Sequence, residues 1–390
     1  MKVILMVFLM LKGSTSVFSQ QVITGFSLSS QNVDTKSLSL GSATVSLEDG
    51  YGSMFINPAG IGKDGVFQVS PDFNSLRHPY AIAYNNYQLA GTYDLNKSKI
   101  GISIQGFRTG GQLKTIYFSE RMNYKFRNTE LITKVAYSYE LNSNLKIGAS
   151  INHLFSGESG GTLISAQNVD PVHSWSFDLG LQYEFSREAE VGMLKPSFGL
   201  ALTNFGKGVN YYGGSSTSPL PTRLQAGAGL TFISSQKRND RNIFEIRVLQ
   251  NVSNTLAQME RRETNSGFYL EAMNPLKALV KSWGNHDYFD GQNRIKSSLR
   301  EQISWLSGAE VKFVETFAIR WGLRKAGKYE EDMSYQSLGL GIDLFYVVLD
   351  YAFVFDNPEY GDFLEGNHWQ LTGRIPLDGS RPDSILKKIL

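Results

Sequence analysis

Five histidines, His78, His153, His173, His286 and His368, are the side chains best suited to proton transfer or metal ligation, and none stands four residues from another. A helical zinc site needs two such histidines one turn apart, so no metal site is expected. The chain has no cysteine, which excludes a thiol nucleophile, a zinc ribbon and a disulfide framework. Gly157-Glu158-Ser159-Gly160-Gly161 lacks the Gly-x-Ser-x-Gly spacing of a hydrolase elbow and reads as a flexible loop. A Ser, a His and an Asp supplied by separate strands stay open, because such triads are set by geometry and not by spacing. Gly339-Leu340-Gly341 sits in an alternating segment, without the helix a nucleotide loop needs. No catalytic residue, metal or cofactor is assigned, and the chain reads as a protein without a chemical step.

The elements that must position any site are strands. In Leu131–Leu141 the odd positions are Leu, Thr, Val, Tyr, Tyr and Leu, and the even ones include Lys134, Ala136, Ser138 and Glu140. Leu145, Ile147, Ala149 and Ile151 repeat the pattern after the polar turn Asn142-Ser143-Asn144. Trp175, Phe177, Leu179, Leu181 and Tyr183 oppose Ser176, Asp178, Gly180, Gln182 and Glu184. Alternating segments fall near 65–71, 80–95, 99–109, 129–141, 145–156, 173–185, 196–205, 222–234, 241–251, 302–314, 315–325, 335–344, 346–356 and 367–375. They reach about ten residues, the length that crosses a bilayer when tilted, where soluble strands average about five or six. An even number of segments suits a closed barrel with both ends on one side. The alternation therefore predicts an all-β fold, a fourteen-stranded antiparallel transmembrane β-barrel spanning 65–375. A soluble sandwich or propeller is the alternative, and neither needs strands this long.

Composition agrees. Charged residues are 19% and aromatic residues 12% of the 390, with 38 glycines. Lys and Arg total 38 against 36 Asp and Glu, a net charge of +2, which argues against a nucleic-acid partner. Mean hydropathy is −0.22, too low for a bundle of membrane helices but compatible with strands of which only alternate residues are apolar. At the N-terminus Lys2, the apolar run Val3–Leu11 and the site after Val17-Phe18-Ser19 read as a signal peptide, residues 1–19. The mature chain is expected to begin near Gln20, outside the cytoplasm. Residues 110–128 and 156–172 read as mobile loops, and 376–390 as a C-terminal tail. Residues 252–301 interrupt the barrel with a partly helical insert, longer than a normal hairpin connection and so a place for function.

Three groups of residues are candidates for that function. Arg320, Arg324, Asp343 and Asp350 fall on the polar face and would point into the lumen, as a rigidifying ion-pair network or a polar path for a solute. In the insert Leu276, Leu279, Val280 and Trp283 have helical spacing and could pack on the rim or bind a partner. Asn57-Pro58-Ala59 is a turn in which Pro fixes φ and Asn bonds its local backbone.

Asp49-Gly50-Tyr51-Gly52-Ser53-Met54-Phe55-Ile56-Asn57-Pro58-Ala59 resembles the N-terminal segment of FadL-type outer-membrane barrels. The resemblance implies fourteen strands and an N-terminal hatch in the lumen, here 20–64. Ser307-Gly308-Ala309-Glu310-Val311, Phe317–Leu323, Leu338-Gly339-Leu340-Gly341-Ile342 and Leu349-Asp350-Tyr351-Ala352-Phe353 resemble the paired strands of the PorV (LptO) family. That family serves the type IX secretion system of Bacteroidetes. The resemblance implies an outer-membrane docking or shuttle barrel for secreted proteins, with outer-membrane lipids and secretion or cell-surface proteins as partners. The alternative is a FadL-like passive channel for hydrophobic molecules, which would need an apolar pocket and a lateral opening where a strand kinks.

Overall fold

The computed structural model describes residues 24–26, 29, 34–48, 50–62, 66–77, 83–117, 120–159, 171–211, 217–238, 241–265, 267–284, 286–289, 294–327, 333–356 and 366–376. The signal peptide read over 1–19 and the tail beyond Pro376 lie outside the described residues.

Among the described residues fourteen long strands form one sheet: β1 (Val66–Arg77), β2 (Ala83–Leu95), β3 (Ser98–Tyr117), β4 (Glu120–Glu140), β5 (Leu145–Ser159), β6 (Val172–Glu184), β7 (Gly192–Gly206), β8 (Arg223–Ser234), β9 (Phe244–Thr255), β10 (Ser304–Phe313), β11 (Phe317–Lys325), β12 (Tyr335–Asp343), β13 (Val347–Asp356) and β14 (Gly366–Pro376). Each pairs antiparallel with its sequence neighbours, and β1 pairs with β14, which closes the barrel. Closure removes the free sheet edge along the paired length of the described strands.

The faces are inverted relative to a water-soluble core. Ile102, Val135, Leu179, Val248, Ile319 and Leu338 point outward and are exposed, whereas Ser103, Lys134, Asp178, Asn251, Arg320 and Ser337 on the same strands are buried inside. Lipid is the solvent that takes such an apolar outer face while the lumen takes the polar one. No helix among the described residues is long and apolar enough to cross a membrane.

The two ends differ. Short turns join β2–β3, β4–β5, β10–β11 and β12–β13, while 207–222, 256–303 and 326–334 connect strands at the other end. At one short turn Asn142 Oδ1 accepts the N–H groups of Asn144 and Leu145, both at 2.9 Å. At another, Val314 and Glu315 have φ of 50° and 51°, and Thr316 N–H donates to Phe313 O at 3.0 Å. Two left-handed central residues match the twist of the flanking strands. The sequence boundary at 314/315 fell inside this turn because no Asn-Gly pair marks it.

Residues 110–128, expected to be a loop, instead continue β3 and β4 as a hairpin down to the rung Tyr117↔Glu120. Strand pairing persists there although the apolar alternation of the sequence lapses, because the ladder is made by backbone hydrogen bonds, which need no side-chain pattern. Likewise β5 runs on to Ser159, and 160–170 lie outside the described residues. The insert begins only after Thr255. It holds a hairpin (Met259–Thr264 with Gly267–Ala272), a second hairpin (His286–Phe289 with Arg294–Ser297), and two short helices.

Candidate functional site

The N-terminal segment crosses the lumen from one wall to the other. Helix α1 (Thr35–Ser39) is capped by Asp34, whose carboxylate accepts the Ser37 N–H at 3.1 Å, and lies against β12 and β13. The chain then passes through two 3₁₀ turns, Gly50–Phe55 and Pro58–Gly60, the second seated on β4, β5 and β6. Asn57, Pro58 and Ala59 are all buried there. Asn57 Oδ1 accepts the Ala59 N–H at 3.1 Å, and its Nδ2 donates to Val45 O at 2.7 Å and to Leu181 O of β6 at 3.0 Å. One amide thus closes its own turn and ties it to the wall. A Cβ on Gly148 would lie 2.3 Å from the Pro58 carbonyl carbon, and one on Gly180 2.0 Å from Asn57 Oδ1. Glycine at these two wall positions is what lets the turn approach. Further ties are Ser337 Oγ to Leu38 O at 2.7 Å, Gln182 Nε2 to Ser46 O at 2.8 Å and Ser138 Oγ to Ala59 O at 2.9 Å.

The lumenal charges divide. Arg320 donates to Glu310 Oε2 and to Asp350 Oδ1, both at 2.6 Å, and Arg247 donates to Glu310 Oε1 at 2.7 Å. Arg320 and Asp350 meet across β12 because Gly341 stands between them; its Cβ would lie 2.6 Å from the Arg320 guanidinium. Asp343 is bonded by Arg374 at 2.6 Å instead, and Arg324 lies toward the loop end, beside a polar void of about 20 Å³ that also touches Arg223 and Gln225. Sequence reading missed Arg247, Glu310, Lys312 and Arg374, although each falls on a lumen-facing position of its strand. These bonds run along one side of the lumen, from β9 to β14, and beside them lies a polar cavity of about 70 Å³ at the short-turn end, bordered by Lys36, Tyr51 and Asp350.

The apolar features lie at the loop end. Phe26, Phe107, Ile132, Leu154, Val209 and Leu220 form a buried cluster, with Val172 and Tyr211 against it. Phe26 N–H donates to the Tyr211 hydroxyl at 2.7 Å, which holds the N-terminal chain over this cluster.

Beside the cluster the wall is interrupted. Leu179 pairs with Leu202 but Phe177 with Phe205, so β7 carries one extra residue, a β-bulge. Asn204 in the bulge has φ of 56°. The buried Asp178 fixes it: Oδ1 accepts the Asn204 N–H at 2.7 Å, and Oδ2 accepts Lys134 Nζ at 2.7 Å and Ser150 Oγ at 2.6 Å. Lys134 also donates to Met54 O of the lumenal segment at 2.8 Å. The last β6–β7 rung is Ser176↔Gly206; beyond it β6 continues to Val172, paired there only with β5 among the described strands. An open cavity of about 690 Å³ occupies the gap. Its lining combines outward Trp175, Phe177 and Phe205 with Val172 and Val209 of the lumenal cluster and Leu276 of the insert. The signal in the sequence was a change of phase, from Phe198, Leu200 and Leu202 at even positions to Phe205 at an odd one.

Two of the dispersed histidines meet at this place. His153 Nε2 and His173 Nδ1 are 3.1 Å apart on the outer face, with the His153 and Trp175 ring centroids at 4.8 Å. Among the described residues no group of three or more His, Cys, Asp or Glu is placed to hold a metal ion.

The insert helix α2 (Pro275–Lys281) is capped by Asn274, whose Oδ1 accepts the N–H groups of Leu276 and Lys277. Of the four insert residues singled out in the sequence, Leu276, Val280 and Trp283 are exposed and Leu279 half-buried; Ala278 and Ser282 are the buried ones.

No family model matches the chain, and no curated protein matches it. Solved structures do. The toluene transporter TbuX of Ralstonia pickettii is 12% identical with a TM-score of 0.44, over 87% of this chain and 96% of that one. The toluene transporter TodX of Pseudomonas putida is 13% identical with a TM-score of 0.44, over 87% and 95%. A Pseudomonas aeruginosa FadL homologue is 12% identical with a TM-score of 0.41, over 92% and 100%. The likeness is confined to barrel architecture.

Proposed function

We propose that the protein is a passive outer-membrane channel for small hydrophobic molecules, exported by its N-terminal signal and exchanging solute through the wall slot between β6 and β7. The observation that carries this reading is the open cavity of about 690 Å³ where β6–β7 pairing ends, because its lining joins the lipid-facing Trp175 and Phe177 to Val172 and Val209 of the lumenal apolar cluster. An apolar solute gains little by going straight down the lumen, which is packed with charge and hydrogen-bonded chain. Sideways exit keeps it in contact with apolar groups, whose burial is worth roughly 25 cal/mol per Å². The polar lower lumen and the crossing N-terminal segment then act as a hatch that denies water and ions a free path. The docking role implied by the PorV-like motifs would use the loops at the same end, but it gives the slot and the cluster beneath it no task.

The test is uptake of N-phenyl-1-naphthylamine, an apolar fluorescent probe, by cells carrying the protein. Val172→Trp fills the slot from the lumenal side and is expected to reduce uptake to the rate of cells lacking the protein. Ile319→Trp, on the lipid face of β11, is expected to leave it unchanged. Equal uptake with and without the unaltered protein would overturn the reading.

A further inference from the structure

Helix α2 turns the wrong face to the protein. At 3.6 residues per turn, successive residues step by about 100° around the axis. Ala278 and Ser282 share one side and are buried against the molecule. Leu276, Val280 and Trp283 share the other, within a stripe about 60° wide by the same geometry. They are 67%, 77% and 45% exposed. Lys277 lies about 60° beyond one edge of that stripe, and Lys281 lies further round, toward the buried side. An ordinary surface helix directs its large apolar residues inward and its polar ones outward. Here the small residues face in, Leu279 is half-buried at the flank, and Leu276, Val280 and Trp283 face out with Lys277 on the opposite flank. That is the distribution of a helix lying in a lipid interface.

Position on the barrel selects lipid as the occupant. The stripe begins at Leu276, which borders the same open cavity as Trp175 and Phe177 of the lipid-facing wall. It ends near β9 and β10, where Asn254 Nδ2 donates to Ser282 O at 3.4 Å and Gly284 N–H donates to Gln302 Oε1 at 3.2 Å. Trp175 on β6 and Trp305 at the start of β10 are outward, exposed tryptophans at the loop end of the wall. Outward tryptophans at this height mark the water–lipid boundary of a barrel. The helix therefore runs along the rim between two such markers, and its apolar stripe continues the apolar wall. The Trp283 indole N–H already donates to Leu279 O at 2.7 Å, so the ring can enter an apolar medium without losing a bond to water.

We propose that α2 is an interfacial anchor, with Leu276, Val280 and Trp283 immersed at the edge of the outer-leaflet hydrocarbon. This rests on the outer wall lying in a bilayer and is independent of what passes through the slot.

The absence of cysteine makes the test clean. Val280→Cys carries one nitroxide label, and the full-length barrel is placed in vesicles of phosphatidylethanolamine and phosphatidylglycerol. Ile319→Cys reports the wall and Ser143→Cys the water-exposed short turn. Label collision with oxygen and with a water-soluble nickel chelate is read by electron paramagnetic resonance. The expected result at Val280 is loss of chelate accessibility relative to Ser143, with oxygen accessibility of the Ile319 type. Leu276→Cys gives a second reading of the same stripe if the first variant folds poorly. Chelate accessibility at Val280 equal to that at Ser143, with Ile319 lipid-like, would overturn the anchor. So would a Val280 label reached by neither agent, the sign of a protein surface covering the stripe. A water-type signal at Ile319 would overturn the membrane reading itself.

Discussion

At the scale of single residues, Asn57 shows how one side chain can serve turn and wall together. Its amide hydrogens reach Val45 O and Leu181 O, two carbonyls more than a hundred residues apart in sequence. Asn57→Ala leaves both without that donor in a buried site. Each buried acceptor so exposed costs about 1–3 kcal/mol. The expected outcome is a lower urea midpoint of the barrel refolded in vesicles, followed by tryptophan fluorescence. The turn at Asn57-Pro58-Ala59 could be read from the sequence, because an Asn before a Pro bonds locally. The bond to β6 could not, since it depends on which wall the turn meets and on Gly148 and Gly180 leaving room.

At the scale of elements, the insert hairpin and α2 are joined by charge. Lys277 bonds Glu260, and Arg262 donates to Glu271 across the hairpin at 2.9 Å. The hydrogen bond from Lys277, aided by the nearby cations Arg262 and Lys281, holds the Glu260 carboxyl below its ordinary range. A carboxyl lowered in the folded state stabilises at pH above its unfolded value, and that contribution is lost as pH falls through the folded one. The pair is exposed, so solvent and salt screen it and the effect is small. A nitroxide at Val280→Cys is expected to gain mobility as pH is lowered from neutral to below 4, at low salt, and Glu260→Gln to abolish that dependence. The helix itself was legible in the spacing of Leu276, Leu279, Val280 and Trp283. Its orientation was not: periodicity shows that a stripe exists, while docking through Ala278 and Ser282 decides where it points.

At the scale of the whole molecule, a polar, bonded lower lumen and an apolar upper cluster are separated by the chain that crosses between them. Phe26 closes the cluster from above. Phe26→Ala removes a fully buried ring, a change that costs about 3–5 kcal/mol in a packed core. The same change widens the apolar space behind the slot. The barrel is expected to melt at lower temperature while probe uptake per folded molecule rises. Lower stability with unchanged uptake would separate Phe26 from the solute path.

The sequence by itself determined the wall. Alternation is a local property, and it is the strand length of about ten residues, repeated fourteen times, that separates a bilayer-spanning wall from a soluble sheet with strands of about five or six. The strand count, the lumenal side of Arg320, Arg324, Asp343 and Asp350, and the turn at Asn142 all follow from residues close together in the chain. Only the tertiary structure decided which charges meet, that His153 and His173 touch, that 110–128 extend a hairpin, and that β6–β7 pairing ends at Ser176 beside an open cavity. Each of these depends on register between strands or on the path of a loop. Register is set by contacts between residues tens to hundreds of positions apart, such as the bulge at Asn204 that Asp178 holds in place.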